Sequence, residues 1–447
     1  MASLAQKETV VTRLRARRNA IVVLLLGLLY VVSYLDRLIL TLLVDPVRAE
    51  FSVSDTAIGL LLGPAFAIFV GIFSIPMGWL ADRFNRTRLV LAAVTIWSSA
   101  TLLTGFAPNF ETVAGLRIGV AIAEAALFPV AISIIADLFP PARRAAATST
   151  FIAFGVFGAF GAFFLGGVVV QWLGDSPVSF LGYVMDPWRA TFVIVAVPGL
   201  VIAALLAMVV REVPRHAVQG KQAPGSKDVF LRRWGPLFFW LFLASSFGQA
   251  IGLGVSSWLP SLMVRDFGMD PGNAGMLFGV AGVTAALFGL LFAPRFAGYL
   301  QKRGRSGDLP LLAAGSVAIG SLILLAAFSA QSVYLLVPLV ALAFFFIVPS
   351  GTYAVFAINW TVPRHNTGLF AAGYTLINSL IAIGLGPLVI AMVSDAIGGS
   401  SHLAEGMVVL TIGAGLGSVV LFILTHKFFA QLCRTISDES LLSKDLL

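Results

Sequence analysis

Four ionisable residues stand inside long apolar stretches: Asp36 and Arg37 in one, Arg117 and Glu124 in another. Each would cost roughly 2.5–3.5 kcal/mol at the middle of a bilayer, so they must pair, line a wet cavity, or do both. Arg117 and Glu124 are nearly two helical turns apart and therefore share a face. Two acids and two bases sum to zero when all are ionised, and protonating either carboxylate leaves the group at +1. Such a site suits an anion and can tie its capture to a proton, because a partly desolvated carboxylate beside arginine feels opposing pulls that a substrate can tip. In this reading Glu124 carries the proton and Arg37 anchors the anionic headgroup. Asp36 orients Arg37 and is the second candidate carrier, while Arg117 balances Glu124. The structural alternative is a salt-bridge network that only fastens the two helices.

The elements that hold these residues follow from composition. Of 447 residues, 59% are hydrophobic and 11% charged, with a mean hydropathy of +0.96. A soluble chain runs near ~25% charged, so this one cannot cover a water-facing surface of its size. Apolar runs long enough to cross a bilayer recur at 19–44, 55–80, 86–107, 110–139, 143–173, 188–210, 235–264, 271–300, 309–329, 332–360, 365–396 and 404–430. They must be helices, because an open strand edge in lipid leaves backbone groups without partners. The predicted class is an all-α membrane protein of twelve spans, with the first span retained rather than cleaved as a signal peptide.

Charge placement sets the expected orientation. With the N-terminus inside, Lys and Arg gather on the tails and the loops after even-numbered spans. Only Arg48, Arg189 and Arg265 fall on the other side, with Arg37 and Arg117 inside spans. Both termini are therefore expected to be cytoplasmic. The net charge of +8 is spent on topology and forms no stripe for nucleic acid. The polar break Arg211 to Arg233, with Pro214, Gly220, Pro224 and Gly225, reads as a linker. The expected organisation is a tail at 1–18, a six-helix half at 19–210, a linker at 211–234, a second half at 235–430 and a tail at 431–447. A faint echo at a spacing of 220 residues agrees with a 6+6 repeat: Arg144 with Arg364, Gly166 with Gly386, Asp175 with Asp395.

Between the second and third spans the chain reads Gly78-Trp-Leu-Ala-Asp82-Arg83-Phe-Asn85-Arg86-Thr-Arg88. This resembles the signature of the major facilitator superfamily, and the architecture resembles it throughout. A glycine there would let helices approach, and Asp82 could take the positive end of a helix dipole. The resemblance implies a partner at the start of span 11, around Asn366 and Thr367, with Arg143 or Arg144 nearby. Gly78, Asp82, Arg83, Arg86, Arg88, Arg143 and Arg144 are thus the expected gating group. Asn85 departs from the usual glycine, and Ala293-Pro294-Arg295 after span 8 lacks the aspartate.

The charged spans narrow the resemblance. Ser33-Tyr-Leu-Asp36-Arg37 and Arg117-Ile-Gly119-Val-Ala-Ile-Ala-Glu124, followed by Ala136-Asp137-Leu-Phe-Pro140, look like the motifs of spinster-like transporters. Gly386-Pro387 before Ser394-Asp395 is a weaker match. The resemblance implies the major facilitator fold, with spans 1 and 4 bordering a central cavity, and a lysophospholipid or sphingoid-phosphate substrate exported with proton coupling. Polar residues of the second half that could meet a headgroup are Gln249, Tyr353, Asn359, Tyr374 and Asn378. An organic anion or drug is the alternative cargo, and a receptor that binds without moving its ligand is a third reading. No nucleophile–base pair, phosphate-cradling loop or metal-spaced cluster stands in the loops, so neither enzyme chemistry nor a cofactor is expected. A monomer in a bacterial inner membrane is expected, with lipid, proton and bilayer as partners.

Overall fold

The computed structural model describes residues 2–180, 182–209, 227–363, 366–398 and 402–442. Most of the linker, Arg364 and the last residues of the C-terminal tail lie outside them. Among the described residues twelve helices are long and apolar enough to cross a membrane: α1 (Arg17–Leu42), α2 (Asp55–Ala81), α3 (Arg86–Thr104), α4 (Phe110–Leu138), α5 (Ala146–Leu173), α6 (Pro187–Val209), α7 (Val229–Phe267), α8 (Pro271–Lys302), α9 (Ser306–Phe328), α10 (Val333–Thr361), α11 (Thr367–Ile397) and α12 (Leu403–Ile436). Strands β1 (Val178–Phe180) and β2 (Tyr183–Met185) pair antiparallel between α5 and α6. Several helices overrun their apolar windows. The helix containing α12 continues to Leu442, and Phe429 and Leu432 near the end of the span are buried.

Proline places the irregularities. Pro64 lies in a π-helical turn, Leu61–Ala65, within α2, and Ser379–Leu385 is a second π turn within α11. Such turns accommodate a missing or displaced backbone bond and recur at functional places. α4 breaks after Glu124 and resumes at Leu127, since Pro129 cannot donate to the carbonyl of Ala125. α10 breaks at Val348, immediately before Pro349.

Contacts divide the chain into two units. The first holds the described residues within Met1–Ser52, Phe69–Val218 and Asp270–Gly279; the second holds those within Val53–Ile68, Gln219–Met269 and Val280–Leu447. Trp97, Phe151, Leu26 and Leu29 are fully buried in the first, and Trp258, Phe238, Phe344 and Phe429 in the second. α1 lies along α5, where Tyr30 stacks on Phe151 with ring centroids 5.0 Å apart. Geometry of this kind contributes about 0.5–1.5 kcal/mol beyond the area buried.

Candidate functional site

In the first unit, α1 and α4 bring the four charges together. Asp36, Arg117 and Glu124 are 0%, 4% and 6% exposed. Arg37 Nη2 donates to Glu124 Oε2 at 3.1 Å, and the Arg37 side chain stays 25% open against 1% for Glu124. Arg117 Nη2 donates to the backbone carbonyl of Arg37 at 2.9 Å. The Arg37 guanidinium also lies 5.2 Å from the centre of the Tyr34 ring, within cation–π range. Glu124 occupies the last position before the α4 break.

Arg37 makes the hydrogen bond to Glu124, while Arg117 acts on Glu124 through its charge and also braces the backbone of Arg37. One pairing differs from the sequence expectation. Asp36 does not orient Arg37: neighbours on a helix point about 100° apart, and Asp36 faces Trp97 and Arg117. Both Asp36 oxygens, Glu124 Oε1, Trp97 Nε1 and Thr101 Oγ1 are buried without a hydrogen-bond partner among the described residues. Trp97 was missed because an indole inside an apolar helix reads as packing. Only its place beside Asp36 gives it polar meaning.

The second unit gathers some of the predicted polar residues but not all. Ser245 Oγ on α7 donates to the Ser350 carbonyl on α10 at 2.9 Å and lies 3.4 Å from the Tyr374 hydroxyl on α11. Gln249 joins this group: a Cβ placed on Gly351 would fall 2.1 Å from its Nε2 and 2.8 Å from the Tyr374 hydroxyl. Ser245, Ser350 and Gly351 were not anticipated, since serine and glycine in a span are most often packing residues. Tyr353 is buried beside Ser316. Asn378 leaves its Oδ1 buried without a hydrogen-bond partner among the described residues, and Asn359 is exposed.

The gating group is dispersed. The side chain of Asp82 lies outside the described residues. Gly78 does not serve close helix contact, since a Cβ there would meet nothing within 4 Å. Arg83 is exposed over the Trp79 ring at 4.2 Å, and Arg88, Arg143 and Arg144 are exposed. Arg86 turns inward, donating to Ser133 Oγ at 2.9 Å and Asp137 Oδ2 at 2.5 Å, and so staples α3 to α4. Asn85 replaces the usual glycine without strain. Its φ of −59° is ordinary, and its side chain caps α3 by accepting from the backbone N–H of Arg88 at 2.7 Å. Asn366 is 1% exposed, with both amide atoms unpartnered among the described residues.

The chain is similar to known proteins along most of its length. An "MFS-type efflux pump" of Mycolicibacterium smegmatis is 28% identical over 385 residues, covering 85% of this chain and 86% of its own. A probable sulfoacetate transporter of Cupriavidus necator is 27% identical over 367 residues, 77% and 79% of the two chains. The crystal structure of a bacterial homologue of the human lysosomal transporter spinster, inward-facing and unoccupied, superposes with a TM-score of 0.76 at 26% identity. That match covers 94% of this chain and 97% of that one. The family model of the major facilitator superfamily matches residues 26–387. With twelve spanning helices and charged α1 and α4 motifs, this integral membrane protein belongs to the major facilitator superfamily and is spinster-like.

Proposed function

We propose that the protein moves an anionic amphipathic lipid, of the lysophospholipid or sphingoid-phosphate class, by proton-coupled alternating access. The observation that carries this is the Arg37–Glu124 pair: a guanidinium one-quarter open, held by a carboxylate that is closed to solvent. Glu124 Oε2 is engaged by Arg37 while Oε1 has no hydrogen-bond partner among the described residues, so a proton can arrive on Oε1. Neutralising Glu124 removes the charge that occupies Arg37, and the guanidinium then donates to the phosphate oxygens of a headgroup. Release of the anion lets the pair re-form and the proton leave. Arg117 sets the backbone position of Arg37. Gln249, Tyr374 and Asn378 are assigned to hydrogen bonding with uncharged headgroup atoms, and Tyr353 and Asn359 to lesser contacts. Gly78, Asp82, Arg83, Arg88, Arg143 and Arg144 remain assigned to the gate, with Arg86 bracing it.

A second reading has a specific observation behind it. The Cupriavidus relative is described as a probable sulfoacetate transporter, and the same guanidinium suits a small acid. Proteoliposomes with an imposed pH gradient separate the two. The expected result is gradient-stimulated uptake of 1-oleoyl lysophosphatidate, competed by lysophospholipids and not by sulfoacetate. Glu124→Gln should abolish the stimulation, and Arg37→Ala should weaken lysophosphatidate more than a neutral monoacylglycerol. Undiminished gradient-driven uptake by Glu124→Gln would remove Glu124 from the carrier role.

A further inference from the structure

The corresponding faces of α2 and α8 differ in chemistry. At the 220-residue spacing Gly78 answers to Gly298, Trp79 to Tyr299, Leu80 to Leu300 and Arg83 to Arg303. The likeness extends to geometry, since each arginine lies over its aromatic ring, at 4.2 Å in α2 and 4.6 Å in α8. In the turns before these residues α2 exposes Ile68, Ile72 and Ile75, an apolar face that hydrocarbon can cover unaided. The same positions in α8 hold Phe288, Phe292 and Arg295, and all three are exposed.

Arg295 carries its charge without an acid. It stands about two turns, or ~10 Å of rise, inside the Lys302 end of α8. It makes no ion pair among the described residues. Its Nη1 donates to the Leu291 carbonyl at 2.6 Å, and its guanidinium lies 5.8 Å from the centre of the Phe292 ring. No Asp or Glu occurs from Pro271 to Gly307, and α10 has no charged residue. A long cation near the end of a span commonly reaches for the nearer surface. This one turns back along the helix toward Leu291, which keeps the guanidinium within the apolar span. A cation there is costly unless an anion answers it.

The surface beside it suits an acyl chain. Phe288, Phe292 and Phe296 form a ladder with ring centroids 6.3 and 6.5 Å apart. Phe345 of α10 flanks it, edge-on to Phe292 at 5.9 Å. The ladder covers about 12 Å of helix rise, and Lys302 and Arg303 lie exposed beyond it. From Phe288 to Arg303 the face thus passes from apolar to cationic toward the end of the span. That is the polarity of a lipid lying alongside with its headgroup at the Arg303 end.

We propose that this face of α8 binds an anionic glycerophospholipid of the surrounding bilayer. The Arg295 guanidinium donates to its phosphate oxygens, Lys302 and Arg303 meet the outer part of the headgroup, and one acyl chain lies along the phenylalanine ladder. The lipid is a resident and not cargo. In the proposed transport cycle Glu124 takes Arg37 back when an anion leaves, whereas Arg295 has no acid to replace the phosphate and holds it through turnover.

The test uses the full-length protein, purified in a neutral detergent, depleted of lipid and titrated with dioleoyl phosphatidylglycerol or dioleoyl phosphatidylcholine. Bound lipid is counted by native mass spectrometry. A single phosphatidylglycerol should be retained where phosphatidylcholine is not, and Arg295→Gln should weaken that retention about tenfold. Arg232→Gln, which removes an exposed charge elsewhere in the second unit, and Arg37→Ala should both leave it unchanged. Equal retention of the two lipids, or no effect of Arg295→Gln, overturns the proposal. An equal loss in Arg232→Gln reduces the effect to net charge, and a loss in Arg37→Ala puts the lipid in the transport site; either result overturns the resident site. Displacement by excess sn-glycerol 3-phosphate would show that the phosphate alone is held and would overturn the lipid. No transport is measured, so a failure of the lipid-cargo reading leaves these outcomes untouched.

Discussion

The Arg37–Glu124 pair predicts a double-mutant cycle whose outcome separates a buried ion pair from coincidental proximity. At 3.1 Å, two unit charges attract by about 5 kcal/mol at an effective dielectric of 20. Removing one partner leaves the other buried, which costs about 3–5 kcal/mol where neither side is solvated. Here Glu124 is shut in and Arg37 is one-quarter open, so the two single losses should be unequal. Arg37→Met strands Glu124, though Arg117 remains beside it, and should cost about 3 kcal/mol. Glu124→Gln leaves a guanidinium that can still turn toward water, and should cost about 1–2 kcal/mol. The double variant should cost about 2 kcal/mol less than the sum of the singles, because neither charge is then stranded. The assay is SDS-driven unfolding in mixed micelles, followed by the fluorescence of the eight tryptophans. Additivity within about 0.5 kcal/mol would refute the pair as an energetic unit. The coupling mechanism would fall with it.

Two further outcomes test the frame around that pair. Gly167→Ala should destabilise by about 1–3 kcal/mol or more, because the added methyl would lie 2.5 Å from the Gly272 carbonyl, backbone that cannot yield. Gly161→Ala on the same helix, with nothing within 4 Å, should be neutral or stabilising by up to about 1 kcal/mol; thermal unfolding of the two in one detergent checks the contrast. Arg86→Met should destabilise by about 2–4 kcal/mol through the loss of its bonds to Asp137 and Ser133. Arg83→Met and Arg88→Met, both exposed, should stay within about 0.5 kcal/mol in the same unfolding assay.

What the sequence made legible has a physical pattern. Twelve spans were readable because the bilayer fixes a length and an average polarity that no soluble element shares. Asp36, Arg37, Arg117 and Glu124 stood out because charge in an apolar run is expensive enough to need a reason. Their pairing was not readable, since Asp36 and Arg37 sit side by side in sequence yet meet different side chains, and only the neighbours decide which acid meets which base. Ser245, Ser350 and Trp97 gave no signal: a serine or indole is affordable in a span, so its presence does not announce a partner. Asp55 and Arg265 were hidden for the opposite reason. At span ends a charge is ordinary, and the ion pair of Arg265 with the buried Asp55 joins residues 210 positions apart.

The breaks in the helices connect these observations. Glu124 ends the first segment of α4, and Ser350 with Gly351 follows the break in α10, so the polar residues of each unit sit where a proline has interrupted the helix in the corresponding place. An intact helix satisfies its own backbone and offers lipid or cavity only side chains. A broken one frees carbonyls as well, and those must be answered by polar neighbours. Ser245 donates to the Ser350 carbonyl just past the α10 break, and Arg117 donates to the carbonyl of Arg37 within the unbroken α1. These polar groups bond to backbone at mid-span and are also the ones that the proposed mechanism assigns to a headgroup. One set of residues can therefore hold the fold and bind cargo, and the structural reading of the salt-bridge network and the transport reading need not exclude one another. In the proposed mechanism the transporting residues are those whose bonds exchange. The Arg37 guanidinium is partly open and in that mechanism trades a carboxylate for a phosphate, whereas Arg86 is buried and bonded to Ser133 and Asp137.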